Sequence, residues 1–310
     1  MLDEHGDTHV VHAFLGRRSH YRAYVSLHPS GALPRSSGRA LALLRACHPE
    51  PTVAVTVFVA VLAVGAGRGP AGSVAVVLAV LAGQLSIGWC NDAVDARRDT
   101  ACRRGDKPVG TGELPRAAAA AAAGTALALC VPLSLVCGLA AGAVHLVGVA
   151  AGWAYNLRLK RTVLSPLPYA VGFASLPAFV TLGPPLSAWP AWWATTAGAL
   201  LGVGAHLANV LPDIEDDLAT GVRGLPQRLH RPACRRLAPV VMSAAVGVLV
   251  VGPPGATGVM DRVLTGAAVA AAVAGTAVRS GARSRWPFRT AIVVAAIGVA
   301  ELLLHAPDMS

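Results

Sequence analysis

The chain has 310 residues, 54% of them hydrophobic and 14% charged, with a mean hydropathy of +0.56. A soluble domain carries about a quarter charged residues, so this balance excludes an ordinary soluble globule and implies a polytopic helical membrane protein. The net charge of +10 does not indicate nucleic acid, because Arg and Lys sit in short loops between apolar runs and aromatic residues, at 5%, offer no stacking platform.

Residues 1–45 mix Ser, His, Gly and Arg without a sustained period and read as a flexible basic cytoplasmic arm carrying a short interfacial helix. Residues 46–310 read as a single membrane domain. Apolar runs recur there at about 51–67, 71–91, 117–136, 139–155, 163–183, 189–211, 233–252, 262–279 and 288–305. Runs of this length suit a hydrocarbon layer of roughly 30 Å, and their Ala and Gly content lets helices approach closely in lipid. The expected fold is therefore all-α and integral to the membrane, a bundle of nine transmembrane helices. The six cysteines form no CxxC pair and read as small buried hydrophobes.

The connecting loops alternate in charge. Those after the second, fourth, sixth and eighth runs are rich in Arg and Lys, from Arg97 to Arg116, Arg158 to Arg161, Arg223 to Arg236 and Arg279 to Arg289; the others hold at most one Arg. The positive-inside rule then puts the N-terminus in the cytoplasm and the C-terminus outside.

Two acidic clusters fall at the cytoplasmic ends of apolar runs. Asn91-Asp92-Ala93-Val94-Asp95 continues to Asp99, so three carboxylates sit at i, i+3 and i+7, on one face of a helix. Asp213-Ile214-Glu215-Asp216-Asp217 ends the sixth run, and Asn209, Asp213 and Asp217, four apart, stack on one helical face in a continuous helix. Such anions near a membrane are costly unless neutralised, and are functional by default. Facing carboxylates are ligands for hard divalent cations, and Mg2+ is held by a few carboxylates together with substrate phosphate oxygens. The clusters thus point to a Mg2+-bridged diphosphate. Basic segments follow them: Arg103-Arg104-Gly105-Asp106-Lys107-Pro108, Gly221-Val222-Arg223-Gly224, and Tyr155-Asn156-Leu157-Arg158-Leu159-Lys160 at the end of the fourth run. These cations suit a leaving diphosphate.

The pattern Asn91-Asp92-x-x-Asp95-x-x-x-Asp99, Arg104-x-x-Lys107-Pro108 and Asp213-x-x-x-Asp217 with Gly221-x-Arg223 resembles the UbiA superfamily of intramembrane prenyltransferases over about residues 45–305. The resemblance implies a bundle with a central cavity open toward lipid, two Mg2+ ions, and a polyprenyl diphosphate with its head at the clusters and its tail toward lipid. It implies that Asp92, Asp95, Asp213 and Asp217 are catalytic, that these four and Asp99 hold the metal, and that Asn91, Arg104, Lys107, Tyr155, Asn209 and Arg223 bind substrate. Many members carry Tyr-x-x-x-Lys after the fourth span; here Leu159 takes the Lys place, leaving Arg158 and Lys160 as the two candidates. The implied reaction is transfer of the prenyl group to an aromatic or other small acceptor. The alternative is a terpene cyclase acting on the diphosphate alone, and an anionic-lipid transporter or binding protein is the reading from a different class.

Overall fold

A computed structural model of the chain describes residues 36–277, 284 and 286–305. The arm expected over 1–45 lies outside the described residues as far as residue 35. Its last stretch is a helix, α1 (Ser36–Ala46), whose Ala42 and Ala46 are buried against Ala93, Ala96, Val109 and Leu114. The remaining helices are α2 (Pro49–Gly65), α3 (Gly69–Ala101), α4 (Arg116–Val136), α5 (Leu139–Leu157), α6 (Leu167–Thr181), α7 (Trp192–Val210), α8 (Ile214–Ala219), α9 (Leu225–Val251), α10 (Val259–Ala277) and α11 (Trp286–Leu304). A 3-10 turn, Leu159–Arg161, follows α5, and no strand occurs among the described residues. Among the described residues each of the nine apolar runs holds one helix, the shortest being the 15 residues of α6. By length and apolar composition α3, α4, α9 and α11 are able to cross a membrane, and α1 with α2 makes a fifth, bent by 64°.

Proline and glycine set several ends. Pro168 in the first turn of α6 needs no partner for its missing N–H, and Pro49 opens α2 in the same way. The helix expected over 163–183 is correspondingly shorter, because residues 162–165 turn back on themselves through Ser165 N–H to the Thr162 carbonyl, 3.1 Å. In α9 the regular φ/ψ breaks at His230 (φ 62°, ψ 160°), two residues before Pro232.

Packing relies on small side chains. One core joins Val55, Val59, Val76, Val80, Phe179, Trp193 and Leu249; a second joins Leu201, Leu207, Met242, Val246 and Val294. Gly88 on α3 lies against the backbone carbonyl of Cys47, and Gly202 on α7 against that of Tyr169, where a Cβ has no room. These contacts fix the α1–α2 turn on α3, and α6 on α7, near the carboxylates. At the opposite end Arg68, buried in a loop, donates to the carbonyls of Val180 (3.1 Å) and Cys137 (3.3 Å) and so satisfies the C-terminal ends of α6 and α4.

At about 1.5 Å per residue, the 33 residues of α3 extend about 50 Å, well beyond a ~30 Å apolar layer. Its last turns, from Asn91 on, can therefore project past the lipid while remaining helical.

Candidate active site

Those last turns carry Asp92, Asp95 and Asp99 on one buried face, as the spacing predicts, with exposures of 0%, 2% and 2%. Buried carboxylates are tolerated only with partners, and each has a cation. Lys107 Nζ donates to Asp92 Oδ1 at 2.8 Å, and His48 Nε2 lies 3.0 Å from the same oxygen. Lys160 Nζ donates to Asp95 Oδ1, while Arg98 Nη2 donates to Asp95 Oδ2 at 2.9 Å. Asn91 Nδ2 lies 3.4 Å from Asp95 Oδ2 and donates to Asn156 Oδ1 at 3.1 Å.

The second cluster meets the first through Arg98, and Arg104 on the following loop reaches it as well. Arg98 Nη1 donates to Asp217 Oδ1 at 2.6 Å, and Arg104 Nη1 to Asp213 Oδ1 at 2.6 Å. Gln227 Nε2 donates to Asp217 Oδ2 at 2.7 Å. The second cluster does not form the continuous helix expected from its spacing. Pro212 cannot donate an N–H to the α7 ladder, α7 ends at Val210, and the chain turns before α8 begins at Ile214. Asp213 stands in the turn just before the short α8 and Asp217 lies within it, while Asn209 remains on α7 and donates to Tyr169 Oη at 3.2 Å. The three residues thus occupy three separate pieces of backbone.

Glycines let the basic loops close in. Gly110 packs against Asp99, its carbonyl accepting from Thr100 Oγ1 at 3.0 Å, and Gly224 packs against the Lys160 carbonyl. Of the two candidates after α5, Lys160 is inside, 5% exposed, and Arg158 is exposed. Arg223 is also exposed and bonds to neither cluster among the described residues. Among the described residues Tyr155 bonds to no carboxylate; its ring and that of Tyr169 meet edge to face, centroids 5.2 Å apart, as do its ring and that of His206 at 5.5 Å.

Sequence reasoning missed Arg98, His48, Gln227 and Asn156. Arg98 follows Asp95 by three residues on the same helix, so continuing the α3 period would have found it. His48 and Gln227 arrive from distant segments and carry no local signal.

The loop groups titrate as their surroundings dictate. Hydrogen bonds from Arg104 hold the Asp106 carboxyl well below the usual range. Burial lowers the Lys160 ammonium, against the pull of Asp95. Burial pushes Asp217 up to about 6, against Arg98 and with the like charge of Asp213.

The donor set suits a hard divalent cation. Among the described residues Asp92 Oδ2 and Asp99 Oδ2 are buried with no hydrogen-bond partner, so the cluster retains acceptor capacity that its own cations do not use.

A bundle of long apolar helices, all-helical among the described residues, with two aspartate clusters joined at one end through Arg98 and flanked by cationic loops, marks an integral membrane protein. The chain belongs to the UbiA prenyltransferase family, whose sequence model matches residues 52–300. No curated protein matches the chain. Solved structures share its fold. A UbiA homolog from Archaeoglobus fulgidus bound to GPP and Mg2+ has a TM-score of 0.63 at 17% identity, covering 84% of this chain and 99% of that one. An apo UbiA homolog from Aeropyrum pernix K1 gives 0.65 at 19% identity, covering 82% and 98%. A digeranylgeranylglyceryl phosphate synthase gives 0.59 at 14% identity, covering 86% and 98%.

Proposed function

We propose that the chain is a Mg2+-dependent enzyme of the membrane that ionises a polyprenyl diphosphate and transfers the prenyl group to a small acceptor. The observation that carries this reading is the meeting of Asp92, Asp95 and Asp99 with Asp213 and Asp217 inside a ring of Arg98, Arg104, Lys107 and Lys160. A site with only fixed anions or only fixed cations would suit one ligand; this one suits a cation and an anion together. Asp92, Asp95, Asp99, Asp213 and Asp217 would hold two Mg2+ ions. Bound Mg2+ would neutralise charge on the diphosphate as its bond to carbon breaks.

The chain's own residues do the rest. Arg104, Lys107 and Lys160 lie on loops and turns able to shift from aspartate partners to diphosphate oxygens, exchanging one ion pair for another. Arg98 and Gln227 keep Asp217 oriented. The C1–oxygen bond of the substrate breaks with both electrons going to the diphosphate. The allylic cation left behind is captured by the acceptor's nucleophilic atom, which then loses its proton. Residues 151–155 of α5 and 169–174 of α6 are all partly accessible, although consecutive helical residues point all around the axis. That absence of a fully packed side supports an internal space for the prenyl chain beside Tyr155, Tyr169 and Trp153.

The chain holds four Tyr, five Phe and six Trp. So few ring faces favour transfer over cyclisation, since a cyclisation pocket needs aromatic faces to stabilise successive cations. The test is turnover of purified protein on prenyl diphosphates of several lengths, with Mg2+, with and without aromatic acceptors, and products identified by mass. Diphosphate release should depend on an acceptor. A cyclic hydrocarbon or terpene alcohol made from the diphosphate alone, at a rate no acceptor improves, would assign a cyclase instead. Binding without any diphosphate release would assign a lipid carrier.

A further inference from the structure

At the other end of the bundle, Asp261, Glu301 and His305 each offer a ligand atom, and these atoms lie within 4.8 Å of one another. Asp261 stands in the first turn of α10. Glu301 and His305 are four apart at the end of α11, so they share one helical face toward it. His305 also sets its ring edge-on to Trp193, centroids 6.3 Å apart. Trp193 opens α7, whose far end, about 28 Å along its 19 residues, leads to Asp213. The group is therefore separate from the aspartate clusters.

Its polar accounting does not close. Glu301 is 0% exposed, and among the described residues neither Oε atom meets an N–H or hydroxyl donor; its side chain faces the Asp261 carboxyl, which is a partner only when a proton lies between the two. Asp261 Oδ2 accepts from the Gly258 N–H at 2.6 Å, and His305 Nε2 lies 3.2 Å from Asp261 Oδ1. Among the described residues no Lys or Arg pairs with either carboxylate. A carboxylate buried without a donor is strongly unfavourable, and here it faces the Asp261 carboxylate directly, whose own partner is the His305 imidazole.

We propose that Asp261, Glu301 and His305 bind a transition-metal dication of the Zn2+ type. One imidazole and two carboxylates make a donor set that Zn2+ accepts, with bonds near 2.0–2.2 Å. Ligand atoms around such an ion stand about 3.4 Å apart; His305 Nε2 and Asp261 Oδ1 are already 3.2 Å apart, and the group, all within 4.8 Å, needs to contract by at most about 1.4 Å elsewhere. Mg2+ fits less well, since it prefers oxygen donors and retains its waters. The Gly258 N–H on Asp261 is the kind of outer contact that fixes a ligand's orientation. The ion would clamp the start of α10 to the end of α11, at the end of the molecule remote from the diphosphate site.

The experiment measures Zn2+ uptake by the purified full chain in excess Mg2+, which occupies the aspartate clusters. One equivalent should bind, and Glu301→Gln and His305→Ala should each weaken binding by at least about tenfold, while Asp95→Asn should not. Zinc-edge anomalous scattering from the unaltered protein places the ion directly, should either variant fail to fold. Equal uptake by all variants, or an anomalous peak at Asp92–Asp99 alone, overturns the proposal. So does a Glu301→Gln protein of raised melting temperature from an unaltered protein that takes up no Zn2+, which would mean that Asp261 and Glu301 share a proton instead.

Discussion

Arg158 and Lys160 stand two residues apart, yet only Lys160 turns inward to Asp95. A charge-assisted hydrogen bond is worth roughly 1.5–3 kcal/mol, so Lys160→Ala should lower kcat/KM on a prenyl diphosphate by about ten- to a hundredfold. Arg158→Ala should change it by less than about twofold, as expected of an exposed charge. Equal losses would mean that the loop's net charge, not the position of one ammonium, binds substrate. Asp217 carries a second prediction. Its folded pKa of about 6 exceeds the model-compound value of 3.8, chiefly through burial. Between these values the folded state binds the proton more tightly than the unfolded state, so the stability this confers is present below pH 4 and is lost as pH rises through 6. In chelator, thermal stability should therefore fall across that window, on top of whatever other groups contribute. Asp217→Asn should remove that share of the fall and be the more stable protein at pH 8. A pH profile identical in the two proteins would show that Arg98 already holds Asp217 ionised.

Elements explain which of these residues were legible beforehand. Asp92, Asp95 and Asp99 lie on an unbroken helix, so local periodicity alone aligned them. Asn209, Asp213 and Asp217 have an equally regular spacing, but Pro212 ends α7 between the first and the second, and spacing counted across a broken helix fixes no common face. The positions of the apolar helices among the described residues were visible because each apolar run is a property of its own residues. His48 and Gln227 were not, since they depend on how α1, α2 and α9 dock. Gly88 makes that docking specific. Its Cα faces the Cys47 carbonyl, one residue before His48, which sits at φ 57° and reaches Asp92. Gly88→Ala must push a backbone rather than a flexible side chain. The expected cost is about 1–3 kcal/mol of stability, read as a lower melting temperature. Activity should fall further than in His48→Ala, because α1 is displaced along with the imidazole. A melting temperature equal to that of the unaltered protein would show that the α1–α2 turn adjusts freely.

At the scale of the molecule, the basic loops 102–115, 158–166 and 212–224 gather around one end, with both aspartate clusters, while the loops 66–68, 137–138, 182–191 and 252–258 lie at the other. The second group holds a single arginine, Arg68, and its guanidinium is spent on helix-end carbonyls rather than on a membrane surface. The charge difference between the ends is thus larger than a count of Arg and Lys by loop. Lys and Arg bias the loops that carry them toward the cytoplasm. The site end should accordingly be cytoplasmic and the Asp261–His305 end external, with nine crossings between an internal N-terminus and an external C-terminus. Cysteine labelling in intact cells tests this on the full chain, in a background where the six native cysteines are replaced. A cysteine at Gly221 should resist an impermeant thiol reagent until the membrane is opened, and one at Gly255 should react at once. Reaction at Gly221 in sealed cells would invert the molecule. Protection at both positions would mean that fewer helices cross than the nine runs require, and that the shorter ones, such as α6, do not traverse the bilayer.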